Sequence, residues 1–131
     1  MLVLGGLPTG APEGLEEGEI PIPDDTTNVV KLLRAEGLKV GHAVPVEQRV
    51  QVGRWSADYL VPILMFAQQA LASGAGDILA AIILDRVRHL HPGAQVHLRV
   101  ARVRTEDMEA EWFEADGPAD KVIEALRAFG E

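Results

Sequence analysis

Between Asp58 and Asp85 the chain reads YLVPILMFAQQALASGAGDILAAIIL, with Asp77 as its single charge. The Ser73-Gly74-Ala75-Gly76 break divides this run into two helix-length pieces. It therefore reads as a helical hairpin at the centre of a small α+β domain. The halves differ in pattern. Leu60 to Leu71 is apolar on almost every side, interrupted only by Gln68 and Gln69, and such a helix must be enclosed by protein or lipid. From Asp77 to His89, Leu79, Ile82, Ile83, Val87 and Leu90 form one stripe while Asp85, Arg88 and His89 face away, the pattern of a surface helix. Ser56 suits an N-cap, with Trp55 and Leu60 spaced for a hydrophobic staple and Asp58 favourable at the positive helix end. Pro62, one turn inside, predicts a kink or a later helix start.

The flanking segments alternate or repeat in ways that predict their partners. Asp25 or Thr26 starts a helix through Glu36, buried along Val29, Val30, Leu32 and Leu33, and Gly37 stops it. Residues 38–44 alternate as a strand with Leu38, Val40, His42 and Val44 on one face. After Pro45, residues 46–52 resume the alternation, as a second strand or a bent continuation of the first. Val96, Leu98 and Val100 then alternate with His97 and Arg99. Across the Thr105-Glu106-Asp107 turn, Met108, Ala110 and Trp112 alternate with Glu109 and Glu111, which predicts a hairpin. Arg102 and Arg104 fall on the face that is apolar through Val100, so a bulge is expected near Ala101. Pro118 opens a last helix, buried along Val122, Ile123, Leu126 and Phe129. The expected fold is thus a small antiparallel sheet of three or four strands, carrying the apolar hairpin and two further helices.

Residues 1–25 hold five Gly and four Pro, with Pro21-Ile22-Pro23 enforcing extended backbone, and read as a mobile acidic arm. Leu2-Val3-Leu4 has the composition for a short edge strand. Residues 26–131 make the single domain, and 131 residues suffice for a real core. The absence of cysteine removes disulfides, thiolate metal sites and cysteine nucleophiles, and suits a reducing cytoplasmic setting. MLVLGGLPTG lacks the basic and apolar regions of a signal peptide. The net charge of −8 is unevenly spread: residues 86–104 carry five Arg and no acid, residues 105–131 nine acids and two bases. A basic strip (Arg99, Arg102, Arg104) beside an acidic strand reads as self-complementary within one fold.

Candidate chemistry is sparse. His89, His91 and His97 are the metal candidates, with Asp85 in reach, but positions i and i+2 on a helix diverge. A helix C-terminus favouring imidazolium explains them better, so no metal site is expected. His42, on an apolar face, reads as a hydrogen-bonded core histidine. Ser56 and Ser73 serve as cap and helix break rather than nucleophiles. Gly74-Ala75-Gly76 precedes a helix but follows another helix and has no nearby Lys for phosphate. Trp55, Tyr59 and Trp112 fit core and staple better than a ligand pocket. The Arg-rich stretch interleaves with aliphatic, not aromatic, residues, and an overall −8 repels phosphate, which argues against nucleic acid. Tyr59 to Gly76 is eighteen uncharged residues, at the lower edge for spanning a bilayer, so a membrane-seated hairpin is the rival reading.

The order of elements from Val29 to Phe129 resembles the small effector-associated components of bacterial conflict and signalling systems. The resemblance rests on an early helix (NVVKLLRAEGL), a strand, an apolar helical region, an Arg-rich strand, an acidic strand and a closing helix (ADGPADKVIEALRAF). It departs in beginning with the acidic arm where those chains begin with a strand. It implies a non-enzymatic bacterial-type adaptor acting beside an effector, without cofactor or catalytic residues. The expected partners are a second copy, giving a homo-oligomer, or an effector protein. The expected interface is Leu60, Ile63, Leu64, Met65, Phe66 and Leu71. A membrane-docked protein, or a small ligand- or metal-binding protein, are the alternatives.

Overall fold

In the computed structural model the described residues are 1–10, 14–53, 58–104 and 109–130. In chain order they form β1 (Leu2–Val3), β2 (Ile20–Pro23), α1 (Thr26–Ala35), β3 (Gly41–His42), a 3-10 turn at Val46–Gln48, β4 (Arg49–Val52), β5 (Tyr59–Leu60), β6 (Leu64–Ala67), α2 (Gln68–Ala72), α3 (Ala75–Leu90), β7 (Gln95–Val103), β8 (Ala110–Pro118) and α4 (Ala119–Gly130). The class is α+β, as the pattern implies. The expected three- or four-stranded antiparallel sheet is replaced by a mixed sheet of six strands.

The apolar run is where the expectation fails. Its first half is not a helix but β5 and β6, both running parallel to β7 along the same side of that strand. A continuous apolar run is also the signature of a strand buried on both faces, and Pro62 favours that alternative. Leu60 pairs with His97 and Leu64 with Val100, so three residues of the first strand oppose two of the second. The extra residue is a bulge in the Val61-Pro62-Ile63 segment, and it reverses which alternate residues face the helices. Tyr59 before it, and Leu64 and Phe66 after it, therefore point to the same side. The bulge expected near Ala101 is absent, because β7 and β8 pair without interruption from Gln95↔Pro118 to Val103↔Ala110.

The second half keeps its predicted helix, as α3. Only the five-residue α2 remains of the hairpin's other arm, joined to α3 through Gly74, whose φ of 99° lies where a side chain would be strained. The β6–α2–α3–β7 segment is thus a helical crossover between parallel neighbours, the connection such a pair requires.

β1 lies inside the sheet, parallel to β3 and antiparallel to β6, rather than at an edge. β2 pairs in parallel with β4, forming a separate two-stranded sheet, so residues 49–52 pair with the segment before α1 and not with 38–44. The longer helices pack on one face of the large sheet. Val29, Val30 and Leu33 of α1, Leu79 and Ile83 of α3, and Leu126 of α4 enclose Val3, Leu64, Phe66, Val96, Leu98 and Val100. A second, smaller set of buried side chains, Leu7, Ile22, Val44, Leu60 and Ile63, lies outside that core. Gly5 sits so close to Ile20 and Val44 there that a Cβ would collide with both. The expected staple and cap at Trp55 and Ser56, and the turn at 105–107, fall outside the described residues.

Candidate functional site

Strand register settles which side chains share the helix-free face. Gly41 pairs with Leu2, Leu2 with Met65, Met65 with Ala101, and Ala101 with Trp112. These residues form one row across β3, β1, β6, β7 and β8. Ala101 is wholly buried within the row, Met65 is half-buried, and Leu2 and Trp112 are 37% and 48% exposed. The next row, Ala67, Val103 and Ala110, is also uncharged. On the other side lies a charged row in which Arg99 pairs with Glu114 at 3.1 Å and its guanidinium stacks 4.6 Å above the Trp112 ring. An exposed tryptophan held flat by an arginine is a preformed apolar contact with little side-chain entropy left to lose.

Farther along this face, His97 lies between Asp58 and Asp116. Its Nε2 is 2.9 Å from Asp58 Oδ2 and its Nδ1 2.5 Å from Asp116 Oδ1. Burial alone would lower its pKa, but the two carboxylates overcome that and raise it. When the ring is protonated, both nitrogens donate, one to each carboxylate.

A second polar cluster lies at the start of α1. Asp25, 6% exposed, accepts from Tyr59 Oη at 2.7 Å, from Arg86 Nε and Nη2 at 2.8 and 2.7 Å, and from Asn28 Nδ2 at 2.9 Å. Burial would push this carboxyl up, but the bonds from Arg86, Tyr59 and Asn28 bring it below its ordinary value. The same arrangement pushes the Tyr59 hydroxyl up, through burial first and the bond to Asp25 second, so it stays a donor. The cluster ties α1 to β5 and α3 beside a cleft of about 360 Å³, lined also by Asp24, Asp58, Leu90 and His91. Its polar groups are spent on one another. Nothing local in the sequence marks it, since Asp25 is 34 residues from Tyr59 and 61 from Arg86.

The sequence-derived candidates are distributed as follows. Of the expected interface, Leu60, Ile63, Leu64, Phe66 and Leu71 are buried within the chain, and Met65 alone is partly accessible. In the basic strip, Arg99 and Arg102 lie on opposite faces. Arg102 is on the helix side, donates to the Phe129 carbonyl at 3.0 Å, lies 4.5 Å over the Phe129 ring and pairs with Glu111. The apparent phase slip at Arg102 is thus a true inward position at the end of the helix layer, where a cation meets the negative end of α4. Arg104 reaches the same Glu111 at 2.9 Å, and both arginines hold that carboxyl below its usual value, Arg102 most strongly. Met108 is outside the described residues. Ala110 and Trp112 are on the open face while Phe113 stacks on Phe129, which reverses the expected inward set of β8.

The three metal candidates do not converge. His89 is engaged with Asp85, His91 lies near Tyr59, and His97 is bound between its two aspartates. Among the described residues no three His, Cys, Asp or Glu side chains form a metal-binding group. His42 is half-buried in β3, where burial, Arg49 and Arg34 lower its pKa. No helix among the described residues is long and apolar enough to cross a membrane. No protein-family model, no curated protein and no solved structure matches this chain.

Proposed function

We propose that this chain is a non-enzymatic interaction subunit that pairs with a second copy of itself through the helix-free face of its sheet. The observation that carries this reading is the cross-strand row Leu2–Met65–Ala101–Trp112, apolar from end to end and open at both exposed members. Two features favour a second copy over an unrelated partner. The row is bordered by both signs of charge, Arg99 with Glu114 and His97 with Asp116, so two such faces related by a two-fold axis oppose cation to anion. An interface core of Trp, Met and Leu with an Arg–acid rim also has the composition of a stable contact.

The readiest attackers and proton carriers are already committed. Tyr59 donates to Asp25, Asp25 is saturated, and both ring nitrogens of His97 are engaged by Asp58 and Asp116. That supports an architectural role for them.

Trp112→Asp tests the proposal without disturbing the core, since the ring stands half-exposed on an edge strand. Sedimentation equilibrium of the parent should give a mass above 14.1 kDa, and the variant should fall to the monomer with an unchanged circular-dichroism spectrum. A variant that associates as the parent does rules out this face. A parent that is monomeric up to high concentration rules out self-association altogether.

A further inference from the structure

The opposite side of the molecule carries a groove that the proposed pairing leaves free. It runs between α1 and α3, has a volume of about 410 Å³, and is floored by Leu32, Ile78, Ala81 and Ile82. Its rim is acidic: Glu36 at the C-cap of α1, and Asp77 and Asp85 on α3. The spacing has a simple origin. Asp77, Ala81 and Asp85 follow one another at four-residue intervals along α3, as do Ile78 and Ile82 beside them, and Leu32 and the C-cap Glu36 of α1. Each helix thus offers a polar edge and an apolar shoulder, and the two shoulders meet without closing.

We propose that this groove docks an amphipathic helical segment of a partner protein, with one apolar stripe and Lys or Arg on its flanks. The apolar floor fits the stripe of a helix laid between two others. The carboxylates at its borders select positive flanks, and the net charge of −8 draws such a segment in from a distance. The acids remain available. Asp77 meets Arg127 at 3.4 Å and Asp85 meets His89 at 3.3 Å, but all four side chains are more than half exposed. Exposed pairs of this kind exchange readily for a better partner. A second copy of this chain is a poor occupant. It brings eight net negative charges to a groove whose rim is itself acidic. Together with the helix-free face, the groove would give one subunit two separate surfaces, one for its own kind and one for a basic partner.

A designed fourteen-residue Leu/Lys amphipathic peptide, fluorescently labelled, is the probe, and anisotropy titration at physiological salt is the readout. Ala81→Arg blocks the groove at an exposed floor position without emptying the core. Glu47→Arg makes the same kind of substitution on the exposed 3-10 turn, away from the groove. The proposal expects saturable one-to-one binding by the parent, at least tenfold weaker binding by Ala81→Arg, and less than twofold change for Glu47→Arg. It also expects no binding of a Leu/Glu peptide of the same pattern. Equal binding by parent and Ala81→Arg overturns it, as does equal binding of a sequence-scrambled Leu/Lys peptide, which would mark diffuse charge attraction. Loss of self-association in Ala81→Arg also overturns it, by placing a second copy in the groove.

Discussion

Replacing Asp25 by Ala withdraws one acceptor from four donated bonds at once. Tyr59 Oη, Arg86 Nε and Nη2, and Asn28 Nδ2 all end on this carboxylate at 2.7–2.9 Å, and Asp25 is 6% exposed. A hydrogen bond to a charged group contributes about 1.5–3 kcal/mol, and removing one partner of a buried ion pair costs about 3–5 kcal/mol. Arg86 is 20% exposed and Asn28 lies at the surface, so water recovers part of their loss. Tyr59, buried against Val96's strand, recovers least. The expected cost is therefore about 3 kcal/mol, toward the lower end of that range. Urea unfolding followed by circular dichroism measures it for Asp25→Ala, Arg86→Ala and the double variant. Because both singles break the same pair, the double should lose at least 1 kcal/mol less than their sum, by the usual coupling of contacting residues. The Asp25 pKa is lowered in the fold, so its contribution is present above the ordinary carboxylate range and fades as pH falls through the folded value. The parent's advantage over Asp25→Ala should accordingly shrink in acid. A loss under about 1 kcal/mol, or strict additivity in the double variant, would refute the tie between α1, β5 and α3.

His97 has a raised pKa, so its bridge to Asp58 and Asp116 is complete below about 6.5 and weakens as pH climbs through the folded value. The urea midpoint of the parent should fall between mildly acidic and alkaline pH more than that of His97→Gln, and parallel curves would contradict the bridge. Phe66→Ala opens a void in the centre of the core and should cost about 3–5 kcal/mol by urea unfolding, whereas Met65→Ala, half-exposed on the other face, should cost under about 2 kcal/mol. Arg102→Met keeps the stem over Phe129 but leaves that carbonyl without its donor and Glu111 with Arg104 alone. Amide exchange in the last turn of α4 should then quicken with a global loss of about 1 kcal/mol, and unchanged exchange would remove Arg102's role as a C-terminal cap.

What the sequence revealed follows from how each element is buried. α1, α3 and α4 each bury one stripe against the sheet, so their periodicity is written in the chain and their positions were legible to within a residue or two. β5 is buried on both faces, and the more open positions of β6 hold Met65 and Ala67, apolar like their buried neighbours, so neither strand alternates in sequence. YLVPILMF consequently mimics a fully enclosed helix, and only Pro62 argued otherwise. β1 and β3 fall within segments whose composition and alternation mark them as strands, but two residues apiece carry no sign of their neighbours in the sheet. The Arg102 anomaly was visible, but its cause is a helix end from a segment 27 residues away, which no local reading supplies. The candidate site was legible in part. Met65 and Trp112 both attracted attention, yet their common row exists only because β6 and β8 flank β7 in one register.

Self-association through that row makes a claim about one side chain that can be followed directly. With Trp55→Phe, Trp112 becomes the sole tryptophan, and acrylamide quenching reports its exposure across a dilution series. At low concentration the half-exposed ring should quench readily. As concentration rises, quenching should fall in the same range in which light scattering records a doubling of mass. A mass that doubles while quenching stays constant would place the interface elsewhere, and constant mass with constant quenching would leave the chain a monomer.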